Sequence, residues 1–321
     1  MKRFLLYVLC LSLLLSLTAC NKPQTVETVP PTEASTAPTE SPEEANVLKI
    51  MILGSSRSVN TFQLLYEVFK DQMPDQELVL GIMYYSGCSM GMHVNFIKEN
   101  AFVYHYYRNT DGFWDITKDA NMDMGLKDQN WDVVLLQAGT GDLSNNLNKA
   151  GRDFLKDYVD KLVQHPHQFW WHSTWFNSTD PTLYKAPKTP ADAEKVDQVA
   201  QLTSTNDAAK AYALTDPMFA GHITSGTPMM YAINKLGVAE ADLFRDHTHL
   251  SDFGCLLVGY AWYAQYTGNP VTHIGIDTIP TRLRHSSYQM LGDMTVTEEM
   301  KQIIIDTVNY TLNNPWAVPT K

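Results

Sequence analysis

The run LKIMIL at positions 48–53 is short, unbroken and apolar, as expected of a strand buried on both faces. It ends at Gly54-Ser55-Ser56-Arg57-Ser58, and helical spacing follows at once, with Phe62, Leu65, Val68 and Phe69 on one side. The alternation continues down the chain: strands are expected at 78–84, 133–136 and 169–174, and a weaker one at 221–225. Between them Phe154, Leu155, Tyr158, Val159 and Leu162 recur at helical spacing up to His165-Pro166, where proline stops the helix. A further helical segment is expected over 192–202. Thr227-Pro228 reads as an N-cap with proline at the first helical position, opening a helix to Leu236. Two more helices are expected over 253–267 and 297–313. Repeated strand–helix alternation predicts an α/β fold, three-layer α/β/α with a parallel, flavodoxin-like sheet. Ligands of such sheets sit beyond the carboxyl ends of the strands, so chemistry is expected in the loops after strands one, two, three and five. One insertion, 102–114, departs from the pattern. It is aromatic and carries Asn109-Thr110-Asp111-Gly112 as a turn, a hairpin that either walls a pocket or is simply packed.

The N-terminus is of a different kind. Lys2 and Arg3 precede an apolar stretch over 4–17 that is too short to span ~30 Å of hydrocarbon comfortably. Leu17-Thr18-Ala19-Cys20 closes it, and the whole resembles a bacterial lipoprotein signal whose cysteine is acylated. An ordinary secretory peptide or an uncleaved anchor is the alternative. Residues 21–46 are mostly Pro, Thr, Glu, Ser and Ala with no aromatic side chain, too little apolar surface to offset the entropy of ordering them. The expected organisation is a signal over 1–20, a disordered Pro/Thr/Glu/Ser-rich linker over 21–46 and one domain over 47–321. No internal repeat and no second linker interrupts that domain. The expected location is the bacterial cell surface or periplasm, with Cys20 lipid-anchored in the membrane.

The net charge is -11, and losing the two cations Lys2 and Arg3 with the signal takes it to -13, since no acidic residue precedes Cys20. An acidic body without a Lys/Arg cluster argues against nucleic acid as a partner, and leaves the lipid anchor as the expected membrane contact. Beyond the signal only Cys88 and Cys255 remain, and spacing alone does not say whether they pair.

Two segments could carry reaction chemistry. Ser56 stands where the first strand turns into the first helix, after a glycine that permits a tight turn. Near the C-terminus, Asp246-His247-Thr248-His249-Leu250-Ser251 leads into an apolar helix. A serine nucleophile needs an imidazole to take its proton and a carboxylate to fix the imidazole's tautomer, and His249 and Asp246 supply both. The His247-x-His249 pair could instead hold zinc if strand two or His165, His167 and His172 supplied further ligands. His165-Pro166-His167 is read more simply as a surface helix end, and neither a metal nor a cofactor is expected. Trp170 and Trp171 lie on a predicted strand, so one or both belong to the core. Trp175, at that strand's end, is the better candidate for touching a ligand.

Taken together, the serine after strand one and the late Asp-x-x-His resemble the SGNH (GDSL-type) hydrolase superfamily. Gly54-Ser55-Ser56-Arg57-Ser58 is similar to the G-N-S-F-S block of a poorly characterised branch common in bacterial exported proteins. Gly87-Cys88-Ser89-Met90 with His93, Trp131-Asp132 through Gln137, and Asp246 through Gly268 resemble its later blocks in order. The resemblance implies a serine esterase in which Ser56 attacks, His249 shuttles the proton and Asp246 orients His249. It also implies oxyanion donors at the N–H groups of Ser56 and Gly87. The chain departs from the pattern in three places. Ser55 replaces a common asparagine, Arg57 replaces a usual aromatic, and Gly139-Thr140-Gly141-Asp142 has glycine where the superfamily has an oxyanion-donating asparagine. Gln137 could replace that donor if its side chain faces the site, and Asp142 reads as a solvated loop residue or, alternatively, as a partner to residues of the site. The implied substrate class is acylated carbohydrate or another small ester. The alternative is a non-catalytic lipoprotein of the same fold that binds glycans or peptides.

Overall fold

The computed structural model describes residues 47–137, 146–279 and 294–321. Cys20, the 21–46 segment and the Gly139 to Asp142 block therefore lie outside the described residues. The first strand, β1 (Val47–Gly54), leads into two short helices, α1 (Ser56–Phe62) and α2 (Leu65–Gln72), and then β2 (Glu77–Tyr84). Next come α3 (Met90–Lys98), the pair β3 (Tyr104–Asn109) and β4 (Trp114–Ala120), and α4 (Met122–Leu126). The chain continues through β5 (Val133–Gln137), α5 (Asn146–Leu162) and β6 (Gln168–Ser173). A long excursion carrying α6 (Pro190–Ala193) and α7 (Gln198–Ala208) precedes β7 (Phe219–Thr224). The last part holds α8 (Gly226–Leu236), α9 (Glu240–Leu243), α10 (Asp252–Thr267), the small ribbon β8 (Thr278–Ile279) and β9 (Met294–Thr295), and α11 (Glu298–Asn313).

The main sheet runs β4-β3-β2-β1-β5-β6-β7. Its parallel part, β2-β1-β5-β6-β7, has the order 2-1-3-4-5 when those five strands are counted alone, the flavodoxin-like arrangement the periodicity predicts. The β3–β4 hairpin adds an antiparallel edge to β2. Strand side chains point alternately to the two faces. Ile50 and Ile52 of β1 and Val133 and Leu135 of β5 pack on one side with Phe62, Phe69 and α10. Met51, Leu53, Val134 and Leu136 pack on the other with Met90, Ile97, Leu155 and Val159. Two separate apolar layers on one sheet make the three-layer architecture. Helix α10 is buried almost all round from Phe253 to Ala264, which explains its apolar composition.

Several local expectations are corrected. The first helix is broken into α1 and α2, and the predicted 192–202 helix is instead α6 and α7, with α7 running on to Ala208. Thr227 does not cap its helix. Helix α8 begins at Gly226 after Ser225, and the Thr227 hydroxyl donates to the carbonyls of Pro315 and Ala317, tying down the C-terminal tail. The aromatic insertion is a hairpin of the packed kind: Tyr106, Tyr107 and Trp114 are buried, and the Trp114 indole donates to the Gln63 carbonyl at 3.1 Å. Trp171 is core, as expected, while Trp170 is only partly buried and packs against Tyr266. Cys88 and Cys255 are both buried and free, so they do not pair. No helix among the described residues is long and apolar enough to cross a membrane.

Two buried histidines give the fold a pH dependence. Burial lowers His93 from 6.5 to about 4, and burial helped by the Arg57 charge lowers His172 to about 3. One ring nitrogen of each bonds, His93 Nδ1 to the Tyr104 hydroxyl and His172 Nε2 to the Ser225 hydroxyl, both at 2.9 Å. The unfolded chain binds these protons more readily than the folded one, so stability falls as pH drops from ~6.5 toward the folded values. Between pH 7 and pH 5 the expected loss is about 2 kcal/mol for each histidine and about 4 kcal/mol for both. Urea unfolding at the two pH values should show it; equal stabilities would mean that neither histidine is held neutral.

Candidate active site

Site geometry begins with the turn after β1. A Cβ on Gly54 would stand 2.0 Å from Ser58 Oγ and 3.0 Å from Gln137 Oε1, so only glycine leaves room for the chain to turn there. Ser55 then takes the N-cap position of α1, with extended backbone, and Ser56 is the first residue of the helix. As the first helical residue, Ser56 has an N–H with no partner within the helix. Its hydroxyl reaches His249 Nε2 at 2.9 Å, across 193 residues of sequence.

His249 belongs to the loop between α9 and α10. Its Nδ1 is 2.9 Å from Asp246 Oδ2. A carboxylate can only accept, so Nδ1 carries the proton and Nε2 is left as the acceptor for the Ser56 hydroxyl. Asp246 Oδ1 accepts the backbone N–H groups of Thr248 and His249 at 2.9 and 2.8 Å. Burial alone would raise the Asp246 carboxyl. The hydrogen bonds from the His249 ring and from the two backbone N–H groups outweigh it and hold the group well below the usual carboxylate range. The three predicted residues are thus brought together in one continuous chain of hydrogen bonds.

The other expected oxyanion donors are Gly87 and Gln137. Gly87 follows β2 with φ +61°, a left-handed conformation that favours glycine, and a Cβ there would meet nothing within 4 Å. Gly87 and Gln137 line a cleft of about 660 Å³ together with Ser55 and Arg57. Gln137 Oε1 accepts from the Ser55 N–H at 3.1 Å and from the hydroxyls of Ser55 and Ser58, each at 2.8 Å. An N–H requires an acceptor, so the amide orientation is fixed, and Nε2 is the end left to donate. In the same Gly87 segment Cys88 also lines the cleft, while Ser89 and His93 serve the fold. Ser89 caps α3 through the Met92 N–H, and His93 stacks on Tyr104.

The excursion before β7 also lines the cleft, through Lys195, Gln201, Ser204 and Thr205 among others. Sequence reading did not find these residues. Trp175 also lines the cleft, yet only 2 % of it is exposed. Its indole donates to the Thr248 carbonyl at 2.9 Å, and the Arg57 guanidinium lies over its ring at 5.4 Å. Burial lowers Arg57 from 12.5 to about 10, leaving it charged at neutral pH. The ligands of the zinc alternative are dispersed. His249 is committed to Asp246 and Ser56, His247 rests on the Tyr184 ring at 5.1 Å, and His172 is fully buried with its Nε2 on the Ser225 hydroxyl. Among the described residues no three His, Cys, Asp or Glu side chains form a group that could hold a metal ion.

Comparison with known proteins gives a family. Residues 49–285 match the model of a domain of unknown function, DUF4886, and the chain belongs to that family. The crystal structure of a DUF4886 family protein from Bacteroides uniformis ATCC 8492 is similar at 22 % identity. It covers 85 % of this chain and 97 % of its own, with a TM-score of 0.66, which shows a shared fold. A mutant of an acetyl-xylooligosaccharide esterase from Geobacillus Stearmophilus (10 % identity, 68 % of this chain and 93 % of that one, TM-score 0.38) is a more distant likeness. An acetyl xylan esterase (13 % identity, 68 % and 99 %, TM-score 0.36) stands at a similar distance. Among curated proteins none matches.

Proposed function

We propose that this chain is a serine esterase that works outside the cytoplasmic membrane, lipid-anchored through Cys20, and removes acyl groups, acetyl among them, from carbohydrate esters. The observation that supports this most is the hydrogen-bonded line from Ser56 Oγ to His249 Nε2 and from His249 Nδ1 to Asp246, each step 2.9 Å. In this reading Ser56 Oγ attacks the ester carbonyl carbon while its proton passes to His249 Nε2. The carbonyl oxygen becomes an oxyanion that takes hydrogen bonds from the Ser56 and Gly87 N–H groups and from Gln137 Nε2. Collapse of that intermediate breaks the bond to the alcohol oxygen, which leaves with the proton from His249. Water then enters, gives a proton to His249, and releases the acid from Ser56 by the same steps in reverse order. The polar residues lining the cleft, Gln201, Ser204 and Thr205 among them, suit a hydroxylated alcohol such as a sugar better than a long acyl chain.

The test is hydrolysis of p-nitrophenyl acetate by the 47–321 protein, with covalent capture by a fluorophosphonate mapped by mass spectrometry. Turnover is expected together with a single adduct on Ser56. Turnover with an adduct at another residue, or a labelled Ser56 without turnover, would sink the mechanism as drawn. The absence of asparagine from Gly139-Thr140-Gly141-Asp142 favours a second reading, a glycan- or peptide-binding module of the same fold. A protein that binds acetylated oligosaccharides without hydrolysing them would establish it.

A further inference from the structure

Arg57 is the residue after Ser56, and its guanidinium is a fork whose four terminal N–H bonds are all in use. Nη1 donates to Thr174 Oγ1 at 3.0 Å and to the Trp175 carbonyl; Nη2 donates to Asn177 Oδ1 at 3.0 Å and Thr248 Oγ1 at 2.9 Å. These acceptors are all neutral. A half-buried cation held by neutral oxygens loses hydration without gaining a Coulombic partner, so ion pairing does not account for its position. Geometry does. The four acceptors lie on the loop after β6 and on the loop that carries His249, and only a planar fork reaches them together.

One of the four closes a circuit. The Thr248 N–H donates to Asp246 Oδ1 at 2.9 Å, Asp246 Oδ2 meets His249 Nδ1 at 2.9 Å, and His249 Nε2 meets Ser56 Oγ at 2.9 Å. Ser56 is bonded to Arg57 through the peptide, and Arg57 returns to Thr248. The two arms of the circuit start on one helix and end on one loop, so the arginine arm fixes the separation that the serine–histidine arm must span. The His249 loop is held in addition by Trp175 Nε1 on the Thr248 carbonyl and by the Ser178 N–H on the His247 carbonyl. Both of those residues lie in or next to the segment that Arg57 grips. Because its acceptors are neutral, Arg57 holds the loop without competing with His249 for the Asp246 carboxylate.

We infer that Arg57 is a positioning residue that sets the Ser56–His249 distance by bolting the nucleophile's helix to the acid–base loop through Thr248. This rests on the esterase reading. The experiment compares wild type, Arg57→Met, Thr248→Val and the double variant by kcat and KM on p-nitrophenyl acetate, fluorophosphonate labelling rate and thermal unfolding. Displacement of a reacting group by about 1 Å can cost ~100-fold, so Arg57→Met is expected to lower kcat about 30- to 100-fold with KM changed less than about threefold. The labelling rate should fall in parallel. Thr248→Val, which removes an acceptor of Arg57 together with the hydroxyl's own 2.9 Å hydrogen bond to Asn177 Oδ1 and keeps the side-chain shape, is expected to lower kcat about tenfold, and the double variant to fall no further than Arg57→Met. Arg57→Lys should recover little, because a single ammonium cannot make four directed bonds. If Arg57→Met fails to fold, Thr248→Val still decides. A kcat within threefold of wild type for Thr248→Val, or additive losses in the double variant, overturns the role. A wild-type protein that neither hydrolyses the ester nor labels at Ser56 fails the esterase reading itself, and the positioning role falls with it.

Discussion

Ser56→Ala and His249→Ala are each expected to lower kcat for p-nitrophenyl acetate by about 10⁴- to 10⁶-fold, and combining them is expected to lower it no further. In the proposed mechanism nucleophile and base act as a unit. Without the imidazole the hydroxyl keeps its proton, and without the hydroxyl the imidazole has only water to activate. The first substitution tests chemistry with little structural cost. Ser56 is the first residue of α1 while Ser55 holds the cap position, and the Ser56 hydroxyl bonds to His249. Removing the imidazole leaves Asp246 Oδ1 still accepting the N–H groups of Thr248 and His249, so the loop keeps its turn. Steady-state rates of the single and double variants decide the matter. Losses that multiply in the double variant would mean that the two residues act in separate steps, and wild-type protein no faster than its variants would shift the reading to the binding module.

The central architecture could be read from the sequence because it rests on local pattern. The apolar runs that become β1, β2, β5 and β6 are continuous since both faces of each strand are covered, and each run declares itself without knowledge of its partners. Ser56, Asp246 and His249 were legible for another reason: the serine follows an apolar strand run at a Gly-Ser turn, and the Asp-x-x-His pair directly precedes an apolar helix. Parts of the same motifs turned out to serve the fold. The Trp131 indole donates to the Gly125 carbonyl, Asp132 accepts the Lys49 N–H, and Ser251 caps α10. Helix boundaries were less legible where a side chain found a distant partner, as Thr227 did with the C-terminal tail. Sequence reading also could not find the Arg57 fork. Its acceptors lie 117 to 191 residues away, and threonine and asparagine hydroxyls and amides carry no signature of which arginine they will meet. In one dimension Arg57 is visible only as a departure from an aromatic. Gln137 falls between these cases. Its position after β5 could be read, but the three donors that orient its amide come from the β1 turn, beyond what spacing encodes.

Asp246→Asn is expected to lower kcat about 10⁴-fold at neutral pH, although it changes one atom and leaves the shape of the site intact. The effect follows from how the carboxylate is held. Its Oδ1 accepts two backbone N–H groups, from Thr248 at 2.9 Å and His249 at 2.8 Å. An asparagine must place its single carbonyl oxygen where those two donors point, because an NH₂ group there would face two further donors across a short gap. Its NH₂ is then turned toward His249 Nδ1, which in the native protein is 2.9 Å from Oδ2. Donor now meets the nitrogen that carried the proton, so the imidazole adopts the opposite tautomer, with Nδ1 accepting and Nε2 protonated. Nε2 can then no longer receive the Ser56 proton. Asp246→Ala removes the wrong-way donor as well as the carboxylate, and is expected to retain more activity than Asp246→Asn if its loop stays folded. In the native protein the Asp246 carboxyl is held well below the ordinary range, so it stays ionised throughout the neutral and mildly acidic pH range, and its protonation does not set the acid side of the rate profile. Steady-state kinetics supplies the first check, and the ¹⁵N shifts of the His249 ring supply the second. An asparagine variant within tenfold of wild type, or one whose His249 keeps the proton on Nδ1, would show that Asp246 does not control the imidazole.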